Sequence, residues 1–157
     1  MDSLHLLPFR LNQHQLAVPL TVVHKVLPAL LWTPLPGAPA SVDGIINVAG
    51  VPLVQVNLAR CFGWSEPILQ LWRPLIWLRL KQRQILIPVD QVEPVVCVDS
   101  ALLVKNSDPQ INSSMLQGVI CTDNGLMLIQ DIEQLLSDAD ELLLQDALQQ
   151  SADRVQS

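Results

Sequence analysis

The stretch from residue 44 to residue 58, GIINVAGVPLVQVNL, decides how the chain folds, because the chain contains its pattern twice. It is typical of two short strands, 45–48 and 51–56, joined by a turn at 49–50. Residues 118–132, GVICTDNGLMLIQDI, repeat the order of opening glycine, apolar pair, turn glycine, apolar run and final polar side chain. The sequence therefore predicts two copies of one β-hairpin.

A second repeat precedes each copy of this hairpin. Residues 16–27, LAVPLTVVHKVL, align without a gap with residues 85–96, ILIPVDQVEPVV, so that Pro19 matches Pro88. The two repeats occur in the same order, which composition alone does not readily produce. Short strands joined by turns, without a long crossover helix, also exclude a parallel α/β sheet. We therefore expect a mainly β protein formed by internal duplication.

The duplication suggests two five-stranded β-barrels within a single domain that spans residues 1–157. We expect the first subdomain at about 14–63 and the second at about 72–136, with a seam near 64–70. The apolar run at 4–11 predicts a further strand, whose pairing partner stays open. Closing each small sheet into a barrel would remove the exposed strand edges that promote aggregation of so apolar a chain.

Local signals place the helices and one tight turn. Residues 58–62 are predicted to form a helical turn that ends at Gly63, a typical C-cap. Residues 131–136 predict a second helical turn, and helical spacing of leucines predicts a C-terminal helix at about 138–150. Residues 123–125, Asp-Asn-Gly, are the strongest hairpin-turn signal in the chain, because Asn and Gly tolerate positive φ.

The composition excludes several classes of function. The net charge is −6 and only 15% of the residues are charged, so the chain lacks the clustered Lys and Arg that bind nucleic acid. The basic group at 81–83 predicts a solvated hairpin tip. Prolines interrupt the long uncharged run, and no secretion signal is recognised, so we expect a cytoplasmic protein. The lone cysteines Cys61, Cys97 and Cys121 are expected to be buried as small hydrophobes.

No arrangement of residues predicts catalysis or cofactor binding. His5, His14 and His24 have no patterned nucleophile beside them, and no Cys-x-x-Cys or paired-histidine spacing suggests a metal site. Scattered glycines form no phosphate-binding loop. We therefore expect no enzyme activity and no cofactor. Exposed tryptophan is unfavourable without a partner, so Trp32 and Trp64 are candidates for an interface.

Five segments of the chain together resemble the CheW-like domain, which forms the bacterial chemotaxis coupling protein and the regulatory domain of the kinase CheA. The family pattern contains Val-x-Glu-Val, Leu-Pro-x-x-Pro, Gly-(apolar)-x-Asn-Leu-Arg-Gly, Pro-Val-x-Asp-Leu, Val-Asp-x-Val, and a final Gly with Asp-(apolar)-x-x-Leu-Leu. The matching segments, in order and in spacing, are residues 16–27, 33–39, 44–58, 89–92 and 118–136. The resemblance covers nearly the whole chain, from about residue 4 to the last helix.

This resemblance implies two SH3-like five-stranded β-barrels with a C-terminal α-helix. It also implies a cytoplasmic, non-catalytic adaptor in chemotaxis signalling. Its partners would be the regulatory domain of a CheA-type histidine kinase and the cytoplasmic tip of a chemoreceptor, with membrane association only through the receptor array. An alternative from another class is a small-molecule or peptide sensor that uses the groove between the two barrels.

The resemblance also implies a set of receptor-binding residues. They are Val23, Lys25, Gly44, Asn47, Ala49 and Gly50. Lys25 stands where the family usually has Glu, Ala49 stands where it has Arg, and Asn57 replaces an Asp. Because these changes alter surface charge and not the apolar pattern, they favour a divergent paralogue with a different partner over the main coupling protein.

Overall fold

The computed structural model describes residues 3–64, 73–99, 101, 116–122, 125–130 and 138–156. Within these residues the secondary structure is mainly β. The strands are β1 (Ser3–Leu11), β2 (His14–Pro19), β3 (Val23–Leu27), β4 (Val42–Val48), β5 (Val51–Val56), β6 (Leu75–Arg79), β7 (Gln84–Pro88), β8 (Gln91–Val92), β9 (Val96–Asp99), β10 (Leu116–Thr122) and β11 (Gly125–Gln130). The α-helices are α1 (Leu58–Phe62) and α2 (Asp138–Gln156), and Leu20–Val22 form a 3-10 turn before β3.

The strands form two sheets. Sheet 1 has the order β10-β11-β2-β1-β8, and β9 also pairs with β1. The strands β8 and β9 contact different parts of β1, at Phe9–Arg10 and at Ser3–Leu6, so together they fill one strand position. Sheet 2 has the order β3-β6-β7-β5-β4. Among the described residues, each sheet therefore has five strand positions, as the duplication suggests.

The predicted division into subdomains at about 14–63 and about 72–136 does not match the sheets. The strands β6 and β7 fall in the predicted second subdomain but pair with β3 and β5 in sheet 2. The strands β1 and β2 pair instead with β8, β9 and β11 in sheet 1. Sheet 2 is thus a continuous stretch from Val23 to Pro88, while sheet 1 joins the two ends of the chain. The two repeats have exchanged strands.

The strand exchange preserves the equivalence of the two repeated hairpins. The β4–β5 ladder shifts register between Val42 and Gly44, and the β10–β11 ladder shifts between Leu116 and Gly118. Each hairpin then pairs in parallel with a strand of the other repeat, β5 with β7 and β11 with β2. A β-bulge at the same place in both hairpins is what a duplicated unit would retain.

The apolar core explains why the central strands read as continuous hydrophobic runs. Phe9 of β1 and Leu78 of β6 belong to one large buried cluster that joins the two sheets. Their strand neighbours on the opposite face, Leu6 and Leu75, belong to two smaller clusters, one for each sheet. Both faces of these strands are therefore buried, and period-two alternation is lost.

The short helix α1 forms where its sequence signals place it. The Asn57 side chain caps its start by accepting a hydrogen bond from the Arg60 amide at 3.1 Å. Gly63 ends it in the left-handed region at φ 73°, where glycine has no steric penalty. The prediction of a helical turn at 58–62 with Gly63 as C-cap is confirmed.

The helix α2 is longer than predicted and is held by sheet 2. It continues to Gln156 instead of ending near 150, because residues 151–156 contain no Gly or Pro and include the good helix formers Ala and Arg. Leu144 and Ala147 are buried in the large cluster. Arg83 forms a two-pronged ion pair with Glu141, at 2.9 and 3.0 Å, so this residue is not the solvated hairpin tip that the sequence suggested.

Several predictions concern residues at or beyond the limits of the described chain. The seam after Trp64, the helical turn at 131–136 and the first two residues of the Asp-Asn-Gly turn at 123–125 lie outside the described residues. Cys61 was predicted to be buried and is half-buried against the core. Cys97 is exposed, contrary to the prediction, because it lies on β9 at the edge of sheet 1.

Candidate protein-interaction site

The turn of the β4–β5 hairpin presents three of the predicted site residues. Val48 and Val51 form the last pair of the ladder, so Ala49 and Gly50 make a two-residue loop. Both have positive φ, 50° and 89°, as a type I′ turn requires. The Asn47 side chain accepts a hydrogen bond from the Gly50 amide at 2.8 Å and stabilises the turn. The exposed tip therefore displays only a methyl group at position 49.

Gly44 has a positioning role that the sequence did not reveal. It is buried, and residues of the proline-rich segment lie directly over it. A Cβ atom at this position would overlap the Thr33 carbonyl oxygen and lie 2.8 Å from Cδ1 of Trp32. Thr33 exchanges two backbone hydrogen bonds with Ile45, each 2.8 Å long. Gly44 thus allows the segment to pair with β4 and places Trp32 on the surface.

The other two predicted site residues, Val23 and Lys25, lie on β3. The ladder between β3 and β6 shifts register between them, so His24 occupies a β-bulge. Lys25 is exposed and Val23 is half-buried. In the strand order of sheet 2, three strands stand between β3 and β4. The pairing pattern therefore places the predicted residues in two groups, one on β3 and one at the β4–β5 hairpin.

The bulge holds His24 against two residues of β6. Its ring meets Trp77 edge-on, with ring centroids 4.5 Å apart, and its Nε2 lies 3.3 Å from Nη2 of Arg79. Local desolvation lowers the pKa of His24 below its ordinary value, and the positive charges of Arg79 and Lys25 lower it further. At neutral pH the ring is therefore uncharged, and its Nε2 accepts the hydrogen bond that Arg79 donates.

Large apolar side chains are exposed near both groups of predicted residues. On the proline-rich segment, Leu31 is 92% exposed and Trp32 is 47% exposed. Val26 follows Lys25 on β3, and Val51 follows the hairpin turn; both are more than two-fifths exposed. The candidacy of Trp32 as an interface residue is consistent with this exposure. Trp64, by contrast, is half-buried and stacks on His14 at 4.2 Å.

Sequence reasoning missed His24 and Arg79 as members of the β3 group. Arg79 follows a buried apolar run and gives no motif, and it comes beside His24 only through the pairing of β6 with β3. A cleft of about 280 Å³ lies between the β4–β5 hairpin, the β6–β7 turn and Leu148 of α2. All of these elements belong to sheet 2 and its helix, so this cleft is not the groove between two barrels that a sensor was expected to use.

The described residues contain no group of three or more His, Cys, Asp or Glu side chains arranged to hold a metal ion. Among the same residues, no helix is both long enough and apolar enough to cross a membrane.

Comparison with known proteins gives consistent matches over most of the chain. The sequence model of the CheW-like domain matches residues 5–140. "Chemotaxis protein CheW" of Thermotoga maritima is 25% identical over 138 residues, which cover 88% of this chain and 91% of that protein. "Probable chemotaxis protein CheW" of Rhizobium etli is 22% identical over 142 residues, which cover 86% of this chain and 88% of that protein.

A solved structure shows the same fold. The crystal structure of the scaffolding protein TtCheW from Thermoanaerobacter tengcongensis superposes with a TM-score of 0.79 at 20% sequence identity, covering 88% of this chain and 96% of that one. The predicted fold class, mainly β with two SH3-like barrels and a C-terminal helix, is confirmed. Because the family match extends over most of the sequence and both sheets, the chain belongs to the CheW-like domain family.

Proposed function

We propose that this protein is a non-catalytic, cytoplasmic adaptor of chemotaxis signalling, which binds the cytoplasmic tip of a chemoreceptor and the regulatory domain of a CheA-type histidine kinase. The observation that carries the proposal is the CheW-like match over residues 5–140, which includes strands of both sheets. The relative of known structure is a scaffolding protein, and the relatives similar in sequence are chemotaxis proteins. An adaptor needs surfaces for partners and no reacting groups.

The exposed apolar side chains support a role in binding proteins. A tryptophan that is 47% exposed and a leucine that is 92% exposed, adjacent in sequence, are unfavourable in water unless a partner covers them. Tryptophan is also among the residues that contribute most to protein interfaces. We assign Val23, Lys25, Asn47, Ala49 and Gly50 to the receptor-binding surface, with Gly44 holding the proline-rich segment beside it.

The alternative function, a small-molecule or peptide sensor that uses the groove between the barrels, is not favoured by the comparisons. The relatives are described as chemotaxis and scaffolding proteins. The adaptor therefore remains the function that we propose.

The proposal can be tested by isothermal titration calorimetry with the purified protein. The titrants would be receptor-tip fragments and the kinase regulatory domain from the same organism. We expect saturable binding to both, with affinities in the micromolar range typical of transient signalling interfaces. If neither titrant binds at protein concentrations near 100 μM, about a hundred times a Kd of about 1 μM, the adaptor function is wrong.

The assigned surface makes a more specific prediction about charge. A receptor that matches the family pattern would present a cation opposite position 25 and an acid opposite position 49. Here the cation would face Lys25, and the acid would find only the methyl group of Ala49. A like-charge contact and an unpaired acid together cost on the order of 2–5 kcal/mol when desolvated, a loss of about thirty- to several-thousand-fold in affinity.

The double variant Lys25→Glu with Ala49→Arg should therefore bind a receptor tip of the usual pattern at least thirtyfold more tightly than the native protein. The two single variants are the controls, since each restores one charge and should recover part of the affinity. Tight binding by the native protein, with no improvement in the double variant, would show that this surface is not the receptor contact.

A further inference from the structure

Lys25 and Arg79 are two cations of sheet 2 that both act on His24, in a protein whose acids outnumber its bases. Four other arginines each contact a carboxylate within 3.3 Å; these pairs are Arg10–Glu93, Arg60–Asp43, Arg73–Asp90 and Arg83–Glu141. Within the described residues, neither Lys25 nor Arg79 has an acidic partner within 4 Å. Both are exposed, and both raise the positive potential at His24.

The fold orients one of these cations, Arg79, and does not merely expose it. Arg79 is the last residue of β6 and donates a hydrogen bond to the His24 ring, which itself rests edge-on against the buried Trp77. Lys25 lies immediately after the bulge on β3. A solvated lysine alone implies nothing about a partner, but an exposed guanidinium held by one hydrogen bond to a neutral histidine keeps further N–H donors for a carboxylate.

The surroundings of the two cations suit a peptide chain. β3 stands at the end of the strand order, and in the described part of sheet 2 its backbone ladder is made with β6 alone. Val26, next to Lys25, is 46% exposed and offers an apolar contact. An edge strand with an apolar residue and neighbouring cations can add an extended segment through backbone hydrogen bonds and bind its acidic side chain.

We infer that Lys25, His24 and Arg79 form a recognition site for an acidic side chain of an extended segment in a partner protein. Two cations match one or two carboxylates. They are too few for an anionic membrane surface, which is bound by clusters of about 4–8 basic residues, or for nucleic acid, which requires about 6–10 phosphate contacts. The net charge of −6 would in addition repel either polyanion.

The acidic partner would bind at the surface assigned above to the receptor. Its identity therefore rests on the proposed function, but the binding of an acidic peptide does not. The test is a selection of random peptides displayed on phage, with the native protein as bait. We expect enrichment of Asp or Glu at one fixed position. The Lys25→Glu, Arg79→Glu double variant should lose this enrichment and select Lys or Arg instead.

Affinities of the best selected peptide then complete the test. We expect each single reversal to weaken binding about tenfold or more, and Lys25→Gln with Arg79→Gln to weaken it without a change of fold. Arg154→Glu, near the end of α2, changes the net charge by the same amount as one reversal and should leave the affinity unchanged. Absence of acidic enrichment, or the same enrichment in the reversed variant, would overturn the inference.

Two outcomes separate this inference from the proposed function. Selection of acidic peptides together with no binding to receptor tips or kinase domain would leave the site intact and refute the adaptor. Binding to those partners that is unaffected by both reversals would support the adaptor and refute the acidic site. Self-association of the native protein that the reversals abolish would identify a second copy as the occupant, and would likewise overturn the inference.

Discussion

Replacing Gly44 by alanine should detach the proline-rich segment from β4. The added Cβ would overlap the Thr33 carbonyl oxygen and lie 2.8 Å from both the Thr33 carbonyl carbon and Cδ1 of Trp32. Two of these three atoms belong to the backbone, so a rotation of one side chain cannot remove the clash. The segment has to move away, and its two hydrogen bonds with Ile45 are then lost.

The expected loss of stability follows from these contacts. Two backbone hydrogen bonds contribute roughly 1–3 kcal/mol together, and the displaced Trp32 loses about 1 kcal/mol of packing. Alanine restricts the unfolded chain and returns about 0.4–1 kcal/mol. Gly44→Ala should therefore lower the free energy of unfolding by about 1–3 kcal/mol. This loss would be measured as a lower midpoint of urea unfolding, with the dependence of the free energy on urea concentration unchanged.

Hydrogen exchange distinguishes this mechanism from a general loss of stability. In Gly44→Ala, the amides of Thr33 and Ile45 should exchange much faster relative to those of the neighbouring strands. The matched control is Gly50→Ala, because a Cβ at Gly50 meets no atom within 4 Å and only strains the turn, where φ is 89°. If Gly44→Ala leaves both the urea midpoint and these two amides unchanged, the close approach described here is wrong.

Three further predictions address the turn, the cysteines and His24. Ala49→Gly should stabilise the protein by about 0.5–1 kcal/mol in the urea assay, because it removes the penalty of a left-handed alanine at φ 50°. The control Ala59→Gly should destabilise the protein, because Ala59 lies in α1, where glycine is unfavourable. Burial raises the pKa of the Cys61 thiol to about 11, so at about pH 8 only about one Cys61 in a thousand is a thiolate. Mass spectrometry after iodoacetamide treatment should therefore find Cys97 modified before Cys61, and faster labelling of Cys61 would contradict its burial. The pKa of His24 is lowered in the folded protein, so the stability that its neutral ring contributes is present above pH 6.5 and is lost as the pH falls through the lower folded pKa. The melting temperatures of the native protein and His24→Gln should therefore diverge below pH 6.5. Parallel pH profiles of the two proteins would refute the environment described for His24.

Elements whose signals are local could be read from the sequence. Asn57 and Gly63 bound α1 through their own side chain and backbone, so the short segment 57–63 contains the information that places this helix. The β4–β5 hairpin is similar, since the turn at Ala49 and Gly50 fixes its register without reference to other strands. The family resemblance rested on such local segments, and it led to the correct fold class.

The partners of each strand could not be read in the same way. β1 and β6 are buried on both faces, so their apolar runs do not indicate which sheet they join. The sequence repeats suggested that each copy folds on itself, but strand pairing between copies buries the same residues equally well. The predicted boundary near 64–70 is therefore a boundary between repeats and not between sheets.

The candidate site likewise contains residues that the sequence identified and residues that it could not identify. Position 25 was identifiable because it lies in a motif, and its exposure agrees with that reading. Arg79 and His24 could not be identified from the sequence, because their contact at 3.3 Å depends on the register of β3 with β6. Gly44 was expected to be special, but the reason is the distant carbonyl of Thr33, which no local pattern reveals.

The strand exchange also determines when each sheet can form during synthesis on the ribosome. The described strands of sheet 2 are all present once residue 88 has emerged, whereas the parallel pairing of β2 with β11 has to wait for residues 127–129. At 5–20 residues per second, the β1–β2 hairpin remains without β11, the last of its partners, for roughly 6–20 s. During that interval its apolar faces and open edges are available for misassociation. The nascent chain is therefore most vulnerable at its first hairpin, and a chaperone that acts early would have its greatest effect there.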